Sequence, residues 1–131
     1  MNKVTDTLRY YSCHEWVRVL ANYAIVGVTD FVTDGAITLI GSVNYERLYA
    51  AGDQIGVVET HSGEKFPFYV PVTGYITGIN NHPTKDTRNP YGKGWLLIVK
   101  IEIPAEVEKL LTEKEYAGLI QGVPYHYVKA S

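Results

Sequence analysis

Short runs of β-branched and aromatic residues, broken by glycine, proline and asparagine, recur along most of the chain. Glu15-Trp16-Val17-Arg18-Val19-Leu20 and Tyr23-Ala24-Ile25-Val26-Gly27-Val28 flank Ala21-Asn22, a spacing that predicts a hairpin. Residues 36–40, 54–59, 66–70, 75–79 and 95–101 read as further strands. Pro67 cannot donate to a ladder, which puts its strand at an edge or at a bulge. Ala50-Ala51-Gly52-Asp53 and Pro71-Val72-Thr73-Gly74 carry turn chemistry. Residues 29–35 offer capping residues and a stop glycine, with room for about one helical turn. Residues 80–94 form a long polar loop with two prolines. The period then changes. Val107, Leu110 and Leu111 fall on one helical face, and Thr112 and Glu115 have capping-box spacing ahead of Tyr116, Leu119 and Ile120. The pattern predicts a mainly β fold. Two antiparallel sheets share one core holding Trp16, Val57, Ile76, Leu97 and Val99, with two C-terminal helices packed outside.

Composition narrows the class. The chain has 131 residues, 46% hydrophobic and 20% charged, enough for a packed core and the size of one domain spanning 1–131. A net charge of -2 argues against a nucleic-acid surface. No apolar run approaches the roughly 20 residues needed to cross a bilayer, and Met1 to Asp6 lacks an apolar signal core. Cys13 is the one cysteine, so neither an internal disulfide nor a cysteine-based metal site is expected. These features point to a cytoplasmic protein.

Candidate chemistry is sparse. His14, His61, His82 and His126 are scattered without metal-ligand spacing, and no metal is expected. Glu59, His61 and Ser62 lie close in sequence, but one short hairpin lacks the oxyanion donors and fixed orientation a nucleophile needs. No catalytic residue is assigned. Asn89-Pro90-Tyr91-Gly92-Lys93-Gly94 lacks the ending of a phosphate loop. Glu15 and Glu59 read as exposed carboxylates, with orienting an arm or docking a partner as the alternative, and Tyr45, Tyr49 and Tyr125-His126-Tyr127 read as exposed aromatics.

Six segments, in order, resemble the glycine cleavage system H-protein family. His14-Glu15-Trp16-Val17 resembles its H-E-W-V signature, and Val26-Gly27-Val28-Thr29-Asp30 its G-I-T-D. Ala51-Gly52 through Gly56-Val57-Val58-Glu59 is similar to A-G followed by G-V-V-E. Tyr69-Val70-Pro71-Val72-Thr73-Gly74 is similar to Y-A-P-V-S-G, and Pro90-Tyr91-Gly92-Lys93-Gly94-Trp95-Leu96 to P-Y-G-E-G-W-L. The tail after Pro104 resembles the family's closing helices. The likeness spans roughly residues 10–120. It implies a lipoyl- and biotinyl-carrier-like flattened barrel or sandwich of two antiparallel sheets with short peripheral helices. It also implies a shuttle that is no enzyme itself. In the family a hairpin-tip lysine carries lipoate between enzymes on a swinging arm, which raises the local concentration of the cargo.

The resemblance breaks at that lysine. The family places it three residues after the glutamate of G-V-V-E, where this chain has Ser62. The stretch from Glu59 to Pro71 is one residue longer than in the family. The nearest lysine, Lys65, lies past the Ser62-Gly63 turn, and in a strand a shift of one residue turns a side chain to the other face. The resemblance therefore implies an exposed tip over residues 60–65, marked by Glu59, His61, Ser62 and Gly63. Its carrier chemistry is lost, leaving no cofactor, or altered, with covalent lipoate relocated to Lys65. The implied partners are enzymes of glycine cleavage or lipoate metabolism.

Overall fold

The computed structural model describes residues 8–29, 37–60, 63–80 and 95–121. The expected turn after Thr29 and most of the loop after Asn80 lie outside these residues. So do His61, Ser62, His82 and the tail with Tyr125, His126 and Tyr127.

Among the described residues, nine strands form two antiparallel sheets. In chain order they are β1 (Leu8–Tyr11), β2 (Glu15–Leu20), β3 (Tyr23–Val28), β4 (Ile37–Ile40), β5 (Leu48–Tyr49), β6 (Gln54–Thr60), β7 (Lys65–Tyr69), β8 (Gly74–Ile79) and β9 (Leu97–Ile101). The six-stranded sheet has the order β1-β2-β3-β9-β8-β5, and the three-stranded sheet the order β4-β6-β7. The hairpin across Ala21-Asn22 forms with Leu20 opposite Tyr23. Pro67 lies on β7, an edge strand, where its missing N–H leaves no ladder partner short. Strands β1 and β5 are additions to the sequence pattern. Leu8-Arg9-Tyr10-Tyr11 has no alternation, and β5 has only two residues.

After the strands, Pro104–Lys109 is a 3-10 helix rather than an α-helix, and Glu113–Ile120 is helix α1. The capping box forms as its spacing predicts. The Thr112 hydroxyl accepts from the Glu115 N–H at 3.2 Å, and the Glu115 carboxylate accepts from the Thr112 N–H at 2.9 Å. Among the described residues no helix is long and apolar enough to cross a membrane.

Among the described residues two core clusters form, not one. Val17, Val26, Val58, Phe68, Ile76, Leu97 and Val99 fill the space between the sheets. Val57 is only half-buried, because it pairs with exposed Pro67 on the outer face of the small sheet. Tyr49 is buried as well, in contrast to the exposed ring expected, and its hydroxyl accepts from the Asn44 N–H at 2.9 Å.

Trp16 alternates to the opposite face of β2 and joins a second cluster with Tyr10 and Tyr116, beneath α1. Tyr10 and Tyr116 stack with ring centroids 4.6 Å apart. The indole lies on Gly27, its cross-strand partner, and a Cβ there would come within 2.7 Å of three ring atoms. Gly27→Ala therefore has to displace the indole. The expected cost is about 1–3 kcal/mol, read as a lower urea midpoint together with altered tryptophan fluorescence. An unchanged midpoint would refute this packing.

Candidate functional site

The hairpin joining β6 to β7 carries the candidate residues singled out in the sequence. Glu59 pairs with Lys65 as the last rung of the named ladder. Beyond it the Thr60 N–H donates to the Glu64 carbonyl at 2.8 Å, and the Gly63 N–H donates to the Thr60 carbonyl at 2.9 Å. The Thr60 hydroxyl accepts from the Glu64 N–H at 3.2 Å. Gly63 has φ +93, and a Cβ added there would meet nothing within 4 Å, so the backbone conformation, not space, demands glycine. An i to i+3 bond followed by a left-handed glycine is the usual closure of a three-residue hairpin loop.

Three of the candidate residues are thus placed by the hairpin. Gly63 is exposed in the turn, Glu59 is half-buried in β6, and Lys65 is exposed in β7. Thr60 differs from the expectation of an exposed tip. It is 7% exposed, because it alternates to the same inner face as Val58. Lys65 shares the outer face with Pro67, while Phe66 and Phe68 point into the core. Its amine therefore leaves from a paired strand rather than from the turn.

Sequence reasoning misses a second group. Glu15 reads as an exposed carboxylate in the sequence, yet it is 1% exposed. It occupies an inward position of β2, the same face as Val17, so its side chain enters the space between the sheets. There Glu15 Oε2 accepts the Tyr69 N–H of edge strand β7 at 2.8 Å. Oε1 is buried and has no hydrogen-bond partner among the described residues. Burial pushes the carboxyl well above its ordinary range, against the opposing pull of the Tyr69 hydrogen bond. Burial likewise raises the Tyr11 hydroxyl and the Cys13 thiol, with nearby Glu15 adding to both. The signal available in the sequence is alternation, since Glu15 and Val17 share a face.

The residue before it is equally constrained. His14 turns the chain from β1 into β2 with φ +73, a conformation few non-glycine residues adopt. Its Nδ1 lies 2.8 Å from the Tyr116 hydroxyl, which also shares a 2.7 Å hydrogen bond with the Thr29 hydroxyl. Burial lowers the pKa of His14. Among the described residues no three His, Cys, Asp or Glu side chains gather as a metal centre.

Two outcomes follow for this region. Gly63→Ala should cost about 1 kcal/mol in chemical denaturation through the left-handed backbone alone, and an unchanged stability would contradict the turn. Glu15 binds its proton more tightly folded than unfolded, so its contribution favours folding in acid. That contribution is lost as pH rises from the ordinary carboxylate value through the raised folded pKa. The stability of the protein minus that of Glu15→Gln should therefore fall with pH across that window, by at most about 1.4 kcal/mol per unit. Taking the difference removes the contribution of His14, which has the opposite sign. A flat difference would show that the carboxyl is not buried as described.

Comparison with known proteins places this geometry. The family model for the glycine cleavage H-protein matches residues 8–122. The glycine cleavage system H protein of Carboxydothermus hydrogenoformans is 35% identical over 127 residues, covering 92% of this chain and 97% of that one. The protein of the same description from Acinetobacter baumannii is 36% identical over 119 residues, covering 86% and 95%. The crystal structure of a glycine cleavage system H protein from Mycobacterium marinum superimposes with a TM-score of 0.67 at 27% identity, covering 86% of this chain and 95% of that one. The two-sheet architecture, the ordered signatures and these matches over nearly the whole length agree: the chain belongs to the glycine cleavage H-protein family.

Proposed function

We propose that this chain is a non-catalytic H-protein module that docks on partner enzymes and does not carry lipoate in the family's usual way. One observation carries the reading. Three residues after Glu59, where the family has its lysine, this chain has Ser62. Attachment joins the lipoyl carboxyl to a primary amine as an amide, and a serine hydroxyl gives no amide. Gly63 and Glu64 supply no amine either. Lys65 does, but from the outer face of β7 opposite Glu59. The standard attachment site and the residues at this tip therefore do not fit each other.

What remains for the module is recognition. The hairpin stays closed and presents Gly63 to solvent. The partners are proteins of glycine cleavage or lipoate metabolism, met in the cytoplasm, and residues 1–131 act as one domain. A second reading keeps the shuttle role and moves the arm to Lys65. The exposure of that side chain and its long flexible stem favour it.

The test is incubation with a lipoate ligase, lipoate and ATP, followed by intact mass. Lys65→Ala, Ser62→Lys, and Ser62→Lys with Gly63 deleted are run alongside. The parent should gain no mass, and the shortened Ser62→Lys variant should gain most. Efficient lipoylation of the parent, abolished by Lys65→Ala, would overturn the reading and install the relocated carrier in its place.

A further inference from the structure

A cleft of about 370 Å³ lies at the end of β6 away from the hairpin tip. Ala51, on its rim, precedes β6, and the seven residues of that strand separate it from the tip by about 20 Å. Tyr11, Pro71, Leu110 and Leu111 give the cleft mostly apolar walls, and its volume falls within the range of small-molecule sites. Two charged side chains of the 3-10 helix, Glu106 and Lys109, also line it.

The two charges are held differently. The Thr73 N–H donates to Glu106 Oε1 at 2.6 Å, and the Thr73 hydroxyl donates to Oε2 at 2.9 Å. The Thr73 hydroxyl oxygen in turn accepts the Ala51 N–H at 3.1 Å. Glu106 is thus half-buried and fixed, yet each carboxylate oxygen keeps acceptor capacity to spare. Lys109 follows three residues later, and positions i and i+3 of a 3-10 helix eclipse one another, so both side chains leave one face. Among the described residues neither forms an ion pair, and the one ion pair present joins Arg47 to Asp53 at 3.6 Å. Glu106, with its carboxylate fixed by Thr73, and exposed Lys109 therefore both line one largely apolar slot.

We propose that this cleft binds a free α-amino acid with an apolar side chain. The ligand ammonium meets Glu106, its carboxylate meets Lys109, and its side chain lies against Tyr11, Leu110 and Leu111. A ligand that carries both charges close together can meet two side chains that leave the same helix face. A peptide separates them, a fatty acid lacks the cation, and a simple amine lacks the anion. The inference stands apart from the carrier question, because the cleft and the hairpin tip lie at opposite ends of β6.

The test is a ¹H–¹⁵N titration of the full chain with L-leucine, and in parallel with 4-methylpentanoic acid, isoamylamine and glycine. Leucine should shift the amides of Tyr11, Leu110 and Leu111 saturably, with a millimolar Kd or tighter. Each analogue lacking one charge, and glycine lacking the side chain, should bind at least about tenfold more weakly. Lys109→Met, a change at an exposed position, should weaken leucine by about the same factor, and so should Glu106→Gln, whose fold the same spectra check. The proposal fails if leucine gives no saturable shift. It also fails if 4-methylpentanoic acid binds as well as leucine, or if Lys109→Met leaves the affinity unchanged.

Discussion

The arrangement turns on one buried carboxyl. β7 is the edge of the small sheet, and its Tyr69 N–H has no strand to receive it. Glu15 reaches from β2 of the large sheet and accepts that hydrogen bond inside the protein. The next residue, Val70, is satisfied by the β5–β6 turn. Its N–H donates to the Asp53 carbonyl, and its carbonyl accepts the Gly52 N–H. Edge groups that would otherwise be left unpaired next to the core are thus tied to the opposite layer at Tyr69 and to the adjoining turn at Val70, as buried backbone requires. A charged group is expensive in that space, and the upward shift of the Glu15 pKa expresses the cost.

The signature His14-Glu15-Trp16 acquires a physical meaning from this. His14 bends the chain in a strained conformation and meets the hydroxyl of Tyr116 on α1. Glu15 turns inward and holds β7. Trp16 turns outward and fills the second core above Gly27. Three consecutive residues secure a helix, an edge strand and a second core. A slip of β2 by one residue would send Glu15 to the helix side and Trp16 between the sheets, so the register is strongly specified. None of these contacts involves the hairpin tip, so the scaffold does not depend on a lysine there.

Alternation and turn chemistry make most strands legible. Tyr23–Val28 has clear bounds because an apolar run meets a two-residue turn, and α1 because its capping box is written in Thr112 and Glu115. What escapes are features that depend on partners distant in sequence. β1 exists because β2 and Leu111 pair with it, and nothing within Leu8-Arg9-Tyr10-Tyr11 announces that. Glu15 resembles a surface acid because burying a carboxylate is costly, and the N–H it receives, that of Tyr69, lies 54 residues away. Val57 resembles core because its apolar character says nothing of which sheet face it takes. At the hairpin, the altered spacing is legible by counting from Glu59. The burial of Thr60 is not, since it depends on the pairing of both arms.

The central claim is that this family member keeps the scaffold while its tip no longer presents the usual attachment amine. Peptide mapping of the protein isolated from the cells that make it tests this most directly, because trypsin cuts after an unmodified lysine and not after an acylated one. The account predicts cleavage after Lys65 and peptides of unmodified mass around it. A missed cleavage at Lys65, on a peptide heavier by one lipoyl group, would contradict it.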